Sequence, residues 1–152
     1  MIRQTYGNLL DVQRGIILHG CNAQCVMESG VAKQLRAKYP PIFDVYKTAL
    51  QRATRGSTHS GLGTLSAYKP HDDLIIVNLI TQLSYGKAGK KYVSYDAIDE
   101  ALQNFVAAFE DTELPVYLPT IGAGLGGGDW GVILALITKH LSCFDTTILL
   151  RN

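Results

Sequence analysis

Apolar residues along the 152-residue chain fall into short continuous runs, separated by stretches in which they recur every three or four positions. The segments Ile2–Tyr6, Gly15–His19, Gly63–Tyr68, Leu74–Ile80, Val116–Pro119 and Thr146–Leu150 predict strands. The central ones are apolar at consecutive positions, the pattern of strands covered on both faces. Between them the spacing turns helical. Val31 and Leu35 sit four apart before Pro40-Pro41 stops the turn, and Ile42, Tyr46, Ala49 and Ala53 make the stripe of a second helix. Ile98, Leu102, Phe105 and Phe109 define a third helix, and Trp130, Ile133, Leu136, Ile137 and Leu141 a fourth. Strands interleaved with helices predict an α/β fold, a three-layer α/β/α sandwich around a central mixed, largely parallel sheet.

Length and composition narrow the picture. A chain of 152 residues fits a single domain, 1–152, able to bury a core without disulfides or structural metal. Apolar residues make up 47% and charged ones 18%, yet no apolar stretch is long enough for a bilayer span or a secretory signal. A soluble, cytoplasmic monomer with no membrane partner is the expectation. Cys21, Cys25 and Cys143 contain no CxxC pair, which predicts reduced thiols; His19, Cys21 and Cys25 lack the second ligand pair that zinc requires, so no metal is expected. A net charge of +1 gives no global attraction for nucleic acid, so any anion must be held locally. The basic stretch "GKAGKK", Gly86 to Lys91, reads as a surface loop.

Two segments carry the candidate chemistry. In "TIGAGLGGGDWG", Thr120 to Gly131, a strand passes through glycines into a helix beginning near Asp129. Glycine admits positive φ and close approach of a ligand, and successive N–H groups before a helix form an anion site, phosphate being the natural occupant. The spacing is neither a dinucleotide fingerprint nor a nucleotide-triphosphate loop. In "IILHGCNAQCVMESGVAKQLRAKYP", a strand ends at His19, a polar loop follows, and Ser29-Gly30 opens a helix. Two such loops on one sheet edge can clasp a diphosphate, and in open α/β sheets that edge is where ligands collect.

"HGCN" followed by "SGVAKQLRAKYP", with "YGNLL" near the start and "IGAGLGGGDW" near the end, resembles a macrodomain, the ADP-ribose-binding module. The resemblance runs nearly end to end. It is nearest to the branch containing ADP-ribose-1″-phosphate phosphatases and TARG-like ADP-ribosylglutamate hydrolases, with phage and bacterial members. What it implies falls on particular residues. Asn22 matches the asparagine that hydrogen-bonds the distal ribose, with Cys21 beside it; Ser29, Gly30 and Val31 match the first phosphate loop. Thr120, Ile121, Gly122, Ala123, Gly124, Leu125, Gly126 and Gly127 match the second. Gly7, Asn8 and Leu9 match the adenine-contacting segment, with Asn8 in place of the family's acidic residue and its carbonyl as the remaining acceptor.

For turnover, the lysine and aspartate of the TARG-like hydrolases correspond here to Gln82 and Gly126, neither of which can attack or act as base. Lys87, Lys90 and Lys91 lie farther along a loop. The phosphatase branch shares the "H-x-C-N" pattern, which makes His19 the leading acid–base candidate, with a hydrogen-bonded core histidine as the alternative. Asp129 reads as the N-cap of the last helix or as a group positioning water near the ribose, while Trp130, on the apolar stripe, reads as core or pocket wall. Tyr85, Tyr92 and Tyr95 are expected to wall the distal pocket, and Ser94 to cap the third helix. The resemblance therefore implies ADP-ribose, or a phosphorylated derivative, as ligand, without a cofactor. It further implies hydrolysis of the terminal phosphate of ADP-ribose-1″-phosphate. The alternatives are a non-catalytic ADP-ribose reader and a lysine-independent hydrolase acting on an ADP-ribosylated macromolecule.

Overall fold

The computed structural model describes residues 1–86, 90–124 and 126–151. Among these, strands and helices follow in the order β1 (Ile2–Tyr6), β2 (Gly15–Asn22), α1 (Gly30–Lys38), α2 (Pro41–Thr54), β3 (Leu65–His71), β4 (Leu74–Gln82), α3 (Tyr95–Phe109), β5 (Val116–Leu118), α4 (Trp130–Leu141) and β6 (Thr146–Leu150). One six-stranded sheet has the order β1-β6-β5-β2-β4-β3. Its strands run parallel except for β3, which pairs antiparallel with β4 at the edge. Two residues join β3 to β4, short enough for a hairpin, whereas α3 and α4 are the crossovers that return the chain from β4 to β5 and from β5 to β6. The fold is the mixed, largely parallel α/β/α sandwich that the alternation of elements predicts.

The consecutive apolar residues of β2 divide between two cores. Ile16 and Leu18 pack with Val77, Val116 and Ile148 against Ile98, Phe105 and Ile137 of α3 and α4. Ile17 and Cys21 pack with Ile76 and Ile80 against Leu35, Ile42 and Tyr46 of α1 and α2. Each wholly buried aliphatic side chain contributes roughly 1.5–3 kcal/mol, so both faces of the central strands hold helices.

Strand ends differ from expectation where pairing extends them. β2 continues three residues past His19 because β4 also continues, to Gln82, and supplies a partner: His19 lies opposite Asn78, Gly20 opposite Leu79 and Cys21 opposite Ile80. The register then slips, Asn22 meeting Gln82. His19 is thus a mid-strand residue, and the polar loop begins only after Asn22. β3 starts at Leu65 rather than Gly63, and β5 stops at Leu118, because Pro119 has no N–H to give the ladder.

Candidate functional site

Five parallel strands end on one edge of the sheet, and a cleft of about 550 Å³ opens there. Tyr6 from β1, Leu150 from β6 and Arg151 just after it, Pro119 and Thr120 after β5, Asn22 from β2 and Thr81 from β4 all line it. The two helical layers diverge at this point, α1 and α2 following β2 on one face and α3 and α4 on the other, which is the switch point where open α/β sheets bind ligands. The volume suits a small organic ligand.

The first loop runs from Asn22 to Val31. Asn22 holds it in shape. Its Oδ1 accepts from the N–H of Gln24 at 3.0 Å, the N–H of Val26 at 3.3 Å and the Tyr46 hydroxyl at 3.0 Å, while Nδ2 donates to the Val26 carbonyl at 2.8 Å. The amide carbonyl is therefore occupied within the protein, and one Nδ2 hydrogen remains for a ligand. Tyr46, on the α2 stripe, also donates to the Asn22 backbone carbonyl. At the end of the loop Ser29 has extended backbone at the N-cap of α1, but its side chain caps nothing. By contrast Ser94 caps α3 by accepting from Ala97, and Asp129 caps α4 by accepting from Val132. Gly30 has φ +59°, and a methyl group built on it would meet no atom within 4 Å. The first turn of α1 opens on the cleft, which Ser29, Gly30 and Val31 line.

The second loop lies opposite. Gly122 has φ +75°, and its carbonyl accepts from the N–H of Gly128 at 2.7 Å, closing the loop on itself. A methyl group on Gly126 would stand 2.7 Å from that same carbonyl oxygen, so the tight turn excludes the aspartate that the TARG-like pattern carries there. The Gly126 carbonyl accepts from Tyr92 and Val93, fastening the loop to the preceding segment. Gly124 is different: among the described residues a methyl group there meets nothing within 4 Å, and Gly124 lines the cleft. Thr120, Ile121, Gly122, Gly124 and Gly126 line the cleft. Ala123 is not among the lining residues, and Gly127 is turned against Lys90 and Lys91; Leu125 lies outside the described residues.

Gly7, Asn8 and Leu9 border a smaller hollow that shares Val31, Pro119, Leu149 and Arg151 with the cleft, so the expected adenine segment adjoins it at the β1–β6 side. Asn8 Oδ1 already accepts from the N–H of Leu10 at 3.0 Å, as the cap of the short 3-10 turn Leu9–Asp11. Arg151 donates to Gln34 at 3.2 Å.

His19 is held on two sides. Asn78 donates its amide to the hydroxyl of Ser66 at 3.1 Å, which leaves Oδ1 as the acceptor for His19 Nε2–H at 2.5 Å. His19 Nδ1 then faces the thiol of Cys21 at 3.7 Å. Burial lowers the imidazole from its ordinary value to about 4, the bond to Asn78 opposing this in part, and burial pushes the Cys21 thiol well above its usual range. The ring is neutral near pH 7 with both nitrogens engaged, and His19 also lines the cleft. Sequence reasoning passed over Asn78, although a lone amide inside "LIIVNLI" was the available signal.

The remaining candidates divide. Asp129 is exposed, caps α4 and receives no place on the cleft wall; its N–H donates to the Tyr95 hydroxyl at 2.9 Å. Trp130 packs on the α3–α4 core. Tyr85 and Gln82 line the cleft, whereas Tyr92 and Tyr95 do not. The ammonium groups of Lys90 and Lys91 sit over the rings of Tyr92 and Tyr95, 5.1 and 4.3 Å from their centres, and Lys87 lies outside the described residues. Among the described residues, the cleft wall carries no lysine, and no three His, Cys, Asp or Glu side chains group as metal ligands.

Three comparisons bear on this geometry. A family model described as Macro domain matches residues 18–137. An uncharacterized 17.5 kDa protein of the tk-vs intergenic region of Enterobacteria phage T4 is 31% identical over 138 residues, 87% of this chain and 83% of that protein. The DNA ADP-ribosyl glycohydrolase of Thermus aquaticus is 25% identical over 146 residues, 95% of this chain but 39% of that protein. Among solved structures, Thermosipho africanus DarTG in complex with ADP-ribose superposes with a TM-score of 0.80 at 17% identity, covering 98% of this chain and 41% of that one.

Proposed function

The chain belongs to the Macro domain family, and from that premise we propose that its cleft binds ADP-ribose and hydrolyses the terminal phosphate of ADP-ribose-1″-phosphate. The observation that carries the binding half is the pairing of two bare backbone surfaces across one cleft: the uncapped first turn of α1 and the open face of Gly124. A helix start whose serine leaves its N–H groups unsatisfied is a natural seat for an anion, and a diphosphate bridges two such seats. The hollow beside Gly7–Leu9 receives the adenine end, and the remaining Asn22 N–H points the other end toward β2 and β4.

For turnover, the wall at Gln82 and Gly126 favours a route that needs no lysine. Phosphate removal fits: water attacks phosphorus, the P–O bond to the sugar breaks, and the ribose oxygen leaves with a proton, while backbone N–H groups stabilise the charge. In this reading His19 positions β2 through Asn78 and Cys21. Titration calorimetry with ADP-ribose is expected to show binding, weakened about tenfold in Gly124→Ala with no loss of melting temperature; no binding by the wild type would remove the proposal. Incubation with ADP-ribose-1″-phosphate is expected to release inorganic phosphate, and binding without release would leave a reader of ADP-ribose. A second reading, release of ADP-ribose from modified DNA, draws on the similarity to the Thermus aquaticus glycohydrolase across 95% of this chain. Release of ADP-ribose from a modified oligonucleotide, with no phosphate freed from the small substrate, would favour it.

A further inference from the structure

The β2–β4 register slip leaves one residue without a partner across the ladder. Cys21 pairs with Ile80 and Asn22 with Gln82, so Thr81 is the extra residue of β4, and its carbonyl turns instead to accept from Ser94 at 2.8 Å. Extra residues of this kind re-aim side chains, often beside active sites. Thr81 lines the cleft and is 1% exposed, yet among the described residues its hydroxyl has no hydrogen-bond partner. An unsatisfied buried hydroxyl is costly enough that it calls for an explanation. The neighbouring chain makes room for this one. A methyl group on Gly20 would stand 2.8 Å from Thr81 Oγ1 and 3.9 Å from Ile121 Cβ, so the absence of a side chain at Gly20 keeps a gap between the hydroxyl and the start of the glycine loop.

Resting on the proposed binding of ADP-ribose, we infer that Thr81 is a ligand-contacting residue whose hydroxyl gains its missing hydrogen bond from an oxygen of the bound molecule, on the distal-ribose side of the diphosphate. The hydroxyl has no bond to break, so a change of rotamer toward the cleft loses nothing inside the protein. A hydroxyl both donates and accepts, which suits either a ribose hydroxyl or a phosphate oxygen.

The test compares the wild type with Thr81→Val, which keeps the shape and removes the hydroxyl, and Thr81→Ser, which keeps the hydroxyl. By calorimetry, Thr81→Val is expected to bind ADP-ribose about tenfold more weakly and Thr81→Ser within about twofold of wild type. Without ligand, Thr81→Val is expected to melt no lower than wild type, since an apolar group replaces an orphaned polar one. Equal affinity of Thr81→Val and wild type would overturn the inference while leaving ADP-ribose binding intact. So would a ligand-free Thr81→Val that melts lower or fails to fold, because that would show an internal structural role. A wild type that binds no ADP-ribose would overturn the binding proposal and this inference with it.

Discussion

Three polar residues under α2 decide what His19 can do. Ser66 takes the amide hydrogen of Asn78, Asn78 takes the imidazole hydrogen, and Cys21 covers the other nitrogen. Such a network favours the neutral ring, and this has a consequence for stability. The ordinary imidazole value is 6.5 and the folded value about 4, lowered chiefly by burial. As pH falls below about 6.5 the unfolded chain takes up a proton that the folded chain refuses until about pH 4. The contribution is therefore complete above pH 6.5 and lost progressively through that window, on the order of 3 kcal/mol in all. Urea midpoints measured from pH 7 to 4.5 are expected to fall more steeply for wild type than for His19→Gln, whose amide does not titrate there. Parallel slopes would show that the ring is not held neutral. The histidine itself was legible in "HGCN", and Asn78 was signalled as a lone amide in "LIIVNLI"; their pairing and the bond from Asn78 to Ser66 were not, because the three lie on different strands and meet only through the sheet.

At the level of elements, the three helices that begin beside the cleft or its glycine loop differ in how their first turns are satisfied. α3 and α4 have side-chain caps, Ser94 and Asp129, while Ser29 stands at the same position of α1 without capping it. Ser94→Ala and Asp129→Ala are each expected to lower the unfolding free energy by about 1 kcal/mol, the usual worth of a cap. Ser29→Ala is expected to leave it unchanged within about 0.5 kcal/mol. Chemical denaturation of the three variants measures this directly, and a loss at Ser29 equal to the other two would show that α1 is capped after all and not open to an anion. The edges of β1 and β6 were readable from sequence because short patterned segments end there in glycine or in charge. The end of β2 was not readable, since "GCN" looks like loop until β4 supplies a strand to pair with it. The same long-range pairing creates the slip at Thr81, which no local pattern announces.

Across the whole molecule, the cleft is lined from the ends of five strands spread from Tyr6 to Arg151, so its geometry depends on the sheet as a unit. The two cores lie below that edge, filled by Ile16, Leu18 and Phe105 on one face and Ile17, Ile42 and Tyr46 on the other. Truncating Phe105, which stacks with Phe109 at 4.9 Å, removes core volume remote from the cleft lining. Phe105→Ala is expected to lose roughly 3–5 kcal/mol of stability and, where it remains folded, to keep wild-type affinity. A ligand that joins α1 to the glycine loop acts in the opposite sense. If ADP-ribose binds as proposed, a hundredfold excess over its Kd is expected to stabilise the native state by about 2.7 kcal/mol and to raise Tm by several degrees. The added protection is expected at the amides of residues 22–31 and 120–124, the two loops the diphosphate would bridge, with little change along α3. Hydrogen exchange with and without ADP-ribose resolves this. Protection spread evenly over both cores, with none added in the two loops, would mean that the ligand stabilises the fold from some other place and that the facing backbone surfaces do not hold it.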